Sequence, residues 1–291
     1  MDPQYEINDE PTTEREGKAG SARPPPPVAA AGYSDAGRVR VRNEDAFEMV
    51  DELGLAIVAD GLGGHPAGDI ASRMAVQEVA DRMRDLDPDP TLPDLNDAEA
   101  VPRAAMDLLR FAVQQANSAI HAAGQRYPVV NGMGTTIAAV LLVRSFAIVA
   151  HVGDSRVYRL RDGDLAPLTE DDSMAAEYVR SLGAKADPEV LRLHEGTLTR
   201  CLGAFPEVTV TVRAERRTPG DVYLLCTDGL WTTIPHDRLG RILFETTDPA
   251  LCVRRLIDEA NAAGGPDNIT AVVVRTGNEI SDSTTPPPRP D

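Results

Sequence analysis

The stretch Leu55-Ala56-Ile57-Val58-Ala59-Asp60-Gly61-Leu62-Gly63-Gly64-His65 decides how the rest of the chain is read. The apolar run Leu55–Ala59 has the length of a buried strand, so Asp60 stands where the backbone leaves the core. Gly61, Gly63 and Gly64 follow, and glycine permits both positive φ and the close approach of another backbone. An acid in such a place has two readings. One is a turn carboxylate that caps the next helix, the commoner case for an isolated motif. The other is a metal ligand, with a neighbouring carbonyl as a second oxygen donor.

The same pattern returns downstream. Asp221–Cys226 is an apolar strand that leads to Asp228 and Gly229. Gly264-Gly265-Pro266-Asp267 opens into the strand Ile269–Val274. Asp154 follows the apolar strand Phe146–Val152, in Gly153-Asp154-Ser155, which taken alone is only a turn. This recurrence favours the metal reading of Asp60, Asp228 and Asp267. Carboxylates gathered at one end of a sheet repel, and cations relieve the repulsion. An all-oxygen donor set selects hard ions, Mg²⁺ or Mn²⁺, and the chain lacks the histidine clusters that zinc favours. Paired ions of this kind activate water and screen an incoming phosphate. The chemistry implied is hydrolysis of a phosphoester.

Composition narrows the setting. Hydrophobic residues make up 42% of 291, which is ordinary for a globular chain. The net charge of −17 argues against nucleic acid and anionic membranes as partners. No apolar stretch has the length of a membrane helix, and the opening Met1–Glu6 has neither the basic flank nor the apolar core of a signal peptide. Cys201, Cys226 and Cys252 are odd in number and without metal spacing, as expected of reduced residues in a cytoplasmic protein. Residues 1–30 are acidic and proline-rich, and 277–291 are rich in Ser, Thr, Pro and Asp. Both read as disordered tails around a domain at 31–276.

Within the domain, alternation at Val39, Val41 and Asn43 predicts a strand carrying Arg38, Arg40 and Arg42 on one face. Those arginines read equally as charges that protect an edge strand or as an anion-binding group beside Glu44 and Asp45. Helical spacing predicts helices over Gly68–Leu86 and Asp97–Arg126, with Pro102 in the first turn of the second and Met74 and Met83 in the core. Apolar runs around Arg144-Ser145, and a shorter pair around Asp162-Gly163, read as hairpins. Glu170–Leu202, with a helical piece at Met174–Leu182, interrupts the strands as a flap. A strand over Val208–Arg213 and helices over Pro235–Phe244 and Pro249–Ala263 complete the pattern.

Taken together, Arg40-x-x-Asn43-Glu44-Asp45, Asp60–His65, Gly134-Thr135-Thr136, Gly153–Arg156, Thr227-Asp228-Gly229 and Asp267–Thr270 resemble the metal-dependent serine/threonine protein phosphatases of the PP2C (PPM) type, in the family's order and over about residues 31–276. The resemblance implies an α+β fold, a four-layer α-β-β-α sandwich with two central antiparallel sheets. It implies a catalytic set of Arg40, Asp60 and Asp228, with Arg40 gripping the substrate phosphate. It implies two central Mn²⁺ or Mg²⁺ ions, with Asp60 bridging them, the Gly61 carbonyl on one, Asp228 and Asp267 on the other, and Glu44 and Asp45 bound directly or through water. Asp154 with Asp228 matches a third metal site of bacterial-type members. The substrates implied are phosphorylated proteins, and the natural antagonist is a serine/threonine kinase. Where some members carry a histidine proposed as general acid, this chain has Leu62, with His65 or a metal-bound water left for that role. The flap departs from bacterial members at Asp171-Asp172-Ser173 and His194-Glu195-Gly196, which bears on substrate preference. A rival reading is a non-catalytic phosphoprotein-binding regulator on the same fold. Against it stands the complete set of acids.

Overall fold

The computed structural model describes residues 28–62, 67–86, 100–194 and 196–277. Expectations for residues 1–27, 278–291, Gly63, Gly64, His65, Glu195 and the helix start at 97–99 lie outside these residues. Among the described residues, ten strands form two five-stranded sheets, each antiparallel throughout. The first holds β1 (Val28–Asp35), β10 (Ile269–Thr276), β9 (Val222–Cys226), β6 (Arg156–Arg161) and β7 (Asp164–Pro167), in that spatial order. The second holds β2 (Asp45–Val50), β3 (Leu55–Asp60), β4 (Ile137–Val143), β5 (Phe146–Val152) and β8 (Thr211–Arg216).

The apolar layers explain why the sheets stack. β3, β4 and β5 are almost wholly buried because both of their faces are covered. One face, with Ile57, Leu141 and Ile148, packs under α1 (Gly68–Leu86) and α2 (Ala100–Arg126). The other, with Val58, Val140 and Val149, meets Tyr223, Leu225 and Val272 of the first sheet. The far face of that sheet packs Leu224 and Val273 against α6 (His236–Glu245) and α7 (Pro249–Ala262). The order is helix, sheet, sheet, helix, as the resemblance implies. The flap carries α3 (Met174–Leu182) and α4 (Pro188–Leu193), capped by the side chains of Ser173 and Asp187. One further short turn of helix, α5 (Asp228–Trp231), starts at Asp228 itself.

Two strands differ from expectation. Residues 38–43 form no strand: Val39 and Val41 are 67% and 97% exposed, so the alternation has no buried face to serve. The chain turns there, with Gly37 at φ 78° and the Arg38 N–H bonded to the Gly265 carbonyl. The edge strand is instead β1, which starts at Val28, ahead of the expected boundary at 31. β8 occupies Thr211–Arg216 rather than Val208–Arg213, because β5 offers partners only from Phe146 to His151. Met83 is fully buried and Met74 partly so, as expected of core residues.

Candidate active site

The cleft opens at one end of the sandwich. β2 and β3 pair Asp45 with Asp60. The next residue along that row is Thr136, whose Oγ1 accepts the Asp60 N–H at 2.9 Å and whose N–H donates to the Asp60 carbonyl at 2.8 Å. Thr135 Oγ1 donates to the same carbonyl at 2.8 Å. The backbone of Asp60 is therefore held on three hydrogen bonds while its carboxylate faces the cleft. From the other sheet, β9 leads through Thr227 to Asp228, and Asp267 precedes β10. Asp154 lies beyond β5, opposite the same opening.

Arg40, Glu44, Asp60, Gly61, Asp154, Asp228 and Asp267 thus line one cavity of about 160 Å³. Of the residues expected at the site, Asp45 alone among those described does not line it; it is buried behind the wall. Its Oδ2 accepts the hydroxyls of Thr227 at 2.8 Å and Thr270 at 2.7 Å. Its Oδ1 is buried without a partner, as is Asp228 Oδ1. Arg40 Nη2 donates to Asp267 Oδ2 at 2.8 Å. The loop that carries Arg40 and Glu44 is organised by a residue that sequence reasoning left without a role. Asn268 donates to the carbonyls of Ala36 and Arg42, at 3.0 and 2.8 Å, and accepts the Glu44 N–H at 2.9 Å.

Two glycines let the pieces meet. A Cβ on Gly61 would come within 2.2 Å of the Gly68 carbonyl oxygen and 2.7 Å of that of Glu44. A Cβ on Gly229 would come within 2.0 Å of the Asn268 carbonyl oxygen. The acids sit close together because backbones that carry them touch.

The electrostatics follow from burial and crowding. Burial pushes the Asp45 and Asp154 carboxyls up to about 7, with Asp228 adding repulsion to each. Asp60 is pushed well above the usual carboxylate range by burial and then by Asp45 and Asp228. Glu44 and Asp228 are raised too, burial leading in both. Arg40 is the only basic side chain lining the cavity among the described residues. The donor set is all oxygen, with two orphaned carboxylate oxygens, and that fits hard divalent cations. Among the described residues, no three His, Cys, Asp or Glu side chains are drawn tightly enough together to hold an ion unaided. Ions here would keep water in their shells, as Mg²⁺ prefers.

Residues 36–255 match the family model for protein phosphatase 2C. The chain belongs to the protein phosphatase 2C family. It is accordingly an enzyme, a protein serine/threonine phosphatase. Serine/threonine phosphatase stp of Listeria welshimeri is 35% identical over 244 residues, covering 83% of this chain and 93% of the relative. Serine/threonine protein phosphatase PstP of Mycobacterium tuberculosis is 38% identical over 246 residues, covering 84% of this chain and 44% of the relative. The crystal structure of the PstP catalytic domain in complex with two manganese ions superposes with a TM-score of 0.71 at 34% identity, over 86% of this chain and 98% of that one. Among the described residues of this protein phosphatase 2C member, no helix is long and apolar enough to cross a membrane.

Proposed function

We propose that this phosphatase removes phosphate from phosphoserine and phosphothreonine in proteins by metal-assisted hydrolysis at the acid-lined cleft, in a single in-line displacement with no phosphoenzyme. The observation that carries the reading is the cluster of Asp60, Asp154, Asp228 and Asp267 around one small cavity, with buried oxygens of Asp45 and Asp228 unpartnered. The manganese-bound PstP domain supports the choice of ion. Asp60, Asp228, Asp267 and the Gly61 carbonyl would hold two Mn²⁺ or Mg²⁺ ions, Glu44 would act directly or through water, and Asp154 with Asp228 would hold a third. When bound, these ions supply the positive charge that acidifies water and offsets the phosphate's charge.

The chain's own residues do the rest. The hydrogen bonds from Thr135 and Thr136 fix Asp60, so its carboxylate is placed before substrate arrives. Thr227 and Thr270 hold Asp45 behind it as a buried carboxyl, which would give up its proton as cations fill the cleft. Arg40, 46% exposed, exchanges Asp267 for the substrate phosphate, which a guanidinium binds in bidentate fashion. Leu62 leaves no side-chain acid at its position, so the leaving alkoxide takes its proton from water at the cleft. The partners are phosphoproteins in the cytoplasm, and the opposing activity is that of a serine/threonine kinase. The test is release of phosphate from phosphothreonine and phosphotyrosine peptides in Mn²⁺. Hydrolysis of the first and not the second is expected. Binding of the phosphothreonine peptide without release would mean a binding module instead.

A further inference from the structure

Arg156 joins three parts of the molecule at the rim of the cleft. Its Nε and Nη2 donate to Asp171 Oδ1 and Oδ2 at 2.8 and 2.7 Å, and its Nη1 donates to Tyr158 Oη at 2.8 Å. The guanidinium carbon lies 3.4 Å from the centroid of the Trp231 ring. At the edge of that indole, Nε1 donates to the Asp154 carbonyl at 3.1 Å. Trp231 closes the same short helix that Asp228 opens. The flap root is tied to the same loop: the Gly153 N–H donates to Asp172 Oδ2 and the Asp172 N–H to the Gly153 carbonyl, both at 3.0 Å.

The arrangement needs these residue types. Only a planar guanidinium makes a bidentate pair in its plane while stacking its face on an aromatic ring. An indole offers a broad face to the cation and an N–H from its edge. Asp154 and Asp228 line the same cavity from different elements, the loop after β5 and the start of α5. The indole bridges the two through backbone, from α5 to the Asp154 loop.

We infer that the Asp171–Arg156–Trp231 stack is a positioning unit that sets Asp154 against Asp228, and through them the affinity of the outermost cation and the turnover number. This rests on the phosphatase reading above. Arg156 and Trp231 act through the two aspartates.

The test uses the full chain and three variants. Arg156→Lys keeps the charge and loses the fork and the stack. Trp231→Phe keeps a ring and loses the N–H. Asp171→Asn keeps the shape and loses the ion pair. Each is measured by calorimetric titration with Mn²⁺, by melting temperature, and by kcat and KM on p-nitrophenyl phosphate. Trp231 is the sole tryptophan, so quenching of intrinsic emission by paramagnetic Mn²⁺ reports on this site alone in wild type, Arg156→Lys and Asp171→Asn. The expected result is about a tenfold loss of affinity for the weakest-bound Mn²⁺ and about a tenfold fall in kcat, with KM within about twofold. Quenching moves to correspondingly higher Mn²⁺ in Arg156→Lys and Asp171→Asn. Lower melting temperatures with wild-type Mn²⁺ isotherms and kcat would overturn the inference, as would equal weakening of every Mn²⁺ site. If Arg156→Lys fails to fold, Trp231→Phe and Asp171→Asn decide by the same criteria. Absence of Mn²⁺-dependent phosphate release in wild type would instead remove the phosphatase reading itself.

Discussion

Asp45 holds one carboxylate oxygen on two threonine hydroxyls and leaves the other buried and alone. Burial lifts this group and Asp154 from 3.8 to about 7. The folded protein without metal therefore keeps protons that the unfolded chain gives up from about pH 4. The sign follows: the stability associated with these protons is complete below the unfolded pKa and is lost as pH rises through about 7. His151 works in the opposite sense: burial lowers its pKa, so the stability it contributes is complete above the usual histidine range and is lost as pH falls below it. A variant comparison separates the two. With chelator present, the melting temperature of Asp45→Asn should gain on wild type as pH goes from about 5 to about 8. A difference that does not change with pH would contradict the assignment. Arg40 gives a second prediction at this scale. Arg40→Ala should raise KM for phosphopeptides about tenfold, the order of a charged hydrogen bond, and Arg38→Ala or Arg42→Ala should not. Equal KM values for all three would return Arg40 to the solvated surface.

At the scale of elements, the junction of α5 with β10 brings Asp228 beside Asp267. Gly229→Ala would drive a methyl group against the Asn268 carbonyl oxygen, so the two elements must part. Overpacking of this kind typically costs about 1–3 kcal/mol, and we expect a lower melting temperature together with loss of Mn²⁺-dependent turnover. Normal turnover in that variant would show that the contact does not place the acids. The elements also show what was legible in the sequence. α1 and the hairpin of β4 and β5 were readable because their apolar spacing matches a single buried face or a fully buried run. β1 was not. Its residues are small because the sheets close on them: a Cβ on Gly32 would come within 2.5 Å of the Phe47 ring, and a run of Val, Ala and Gly beside four prolines reads as tail. Val39 and Val41 mimicked a strand with no face to bury. The acids at strand ends were legible as a recurrence. The residues behind the acids, Asn268, Thr227 and Thr270, had no role that could be read, because partners more than a hundred residues apart leave no spacing to follow.

At the scale of the molecule, the boundary of the folded unit becomes a prediction. Removing residues 1–27 and 278–291 should leave turnover and melting temperature unchanged, since segments of that composition bury little apolar surface. Removing 28–30 as well takes Val28, Ala29 and Ala30 from their partners Thr276, Arg275 and Val274 in β10, and should lower the melting temperature. Equal stability of the two truncations would show that β1 contributes nothing at its start.

Phosphoester hydrolysis by this sandwich depends on its strand-end acids holding cations that activate water. The most direct measurement is the rate of phosphate release from a phosphothreonine peptide as Mn²⁺ is titrated into chelated protein, with Asp60→Asn alongside. The account predicts no release without the ion, a saturable rise with it in wild type, and almost none at any concentration in a folded Asp60→Asn. Undiminished release in excess chelator, or wild-type turnover in Asp60→Asn, would contradict it.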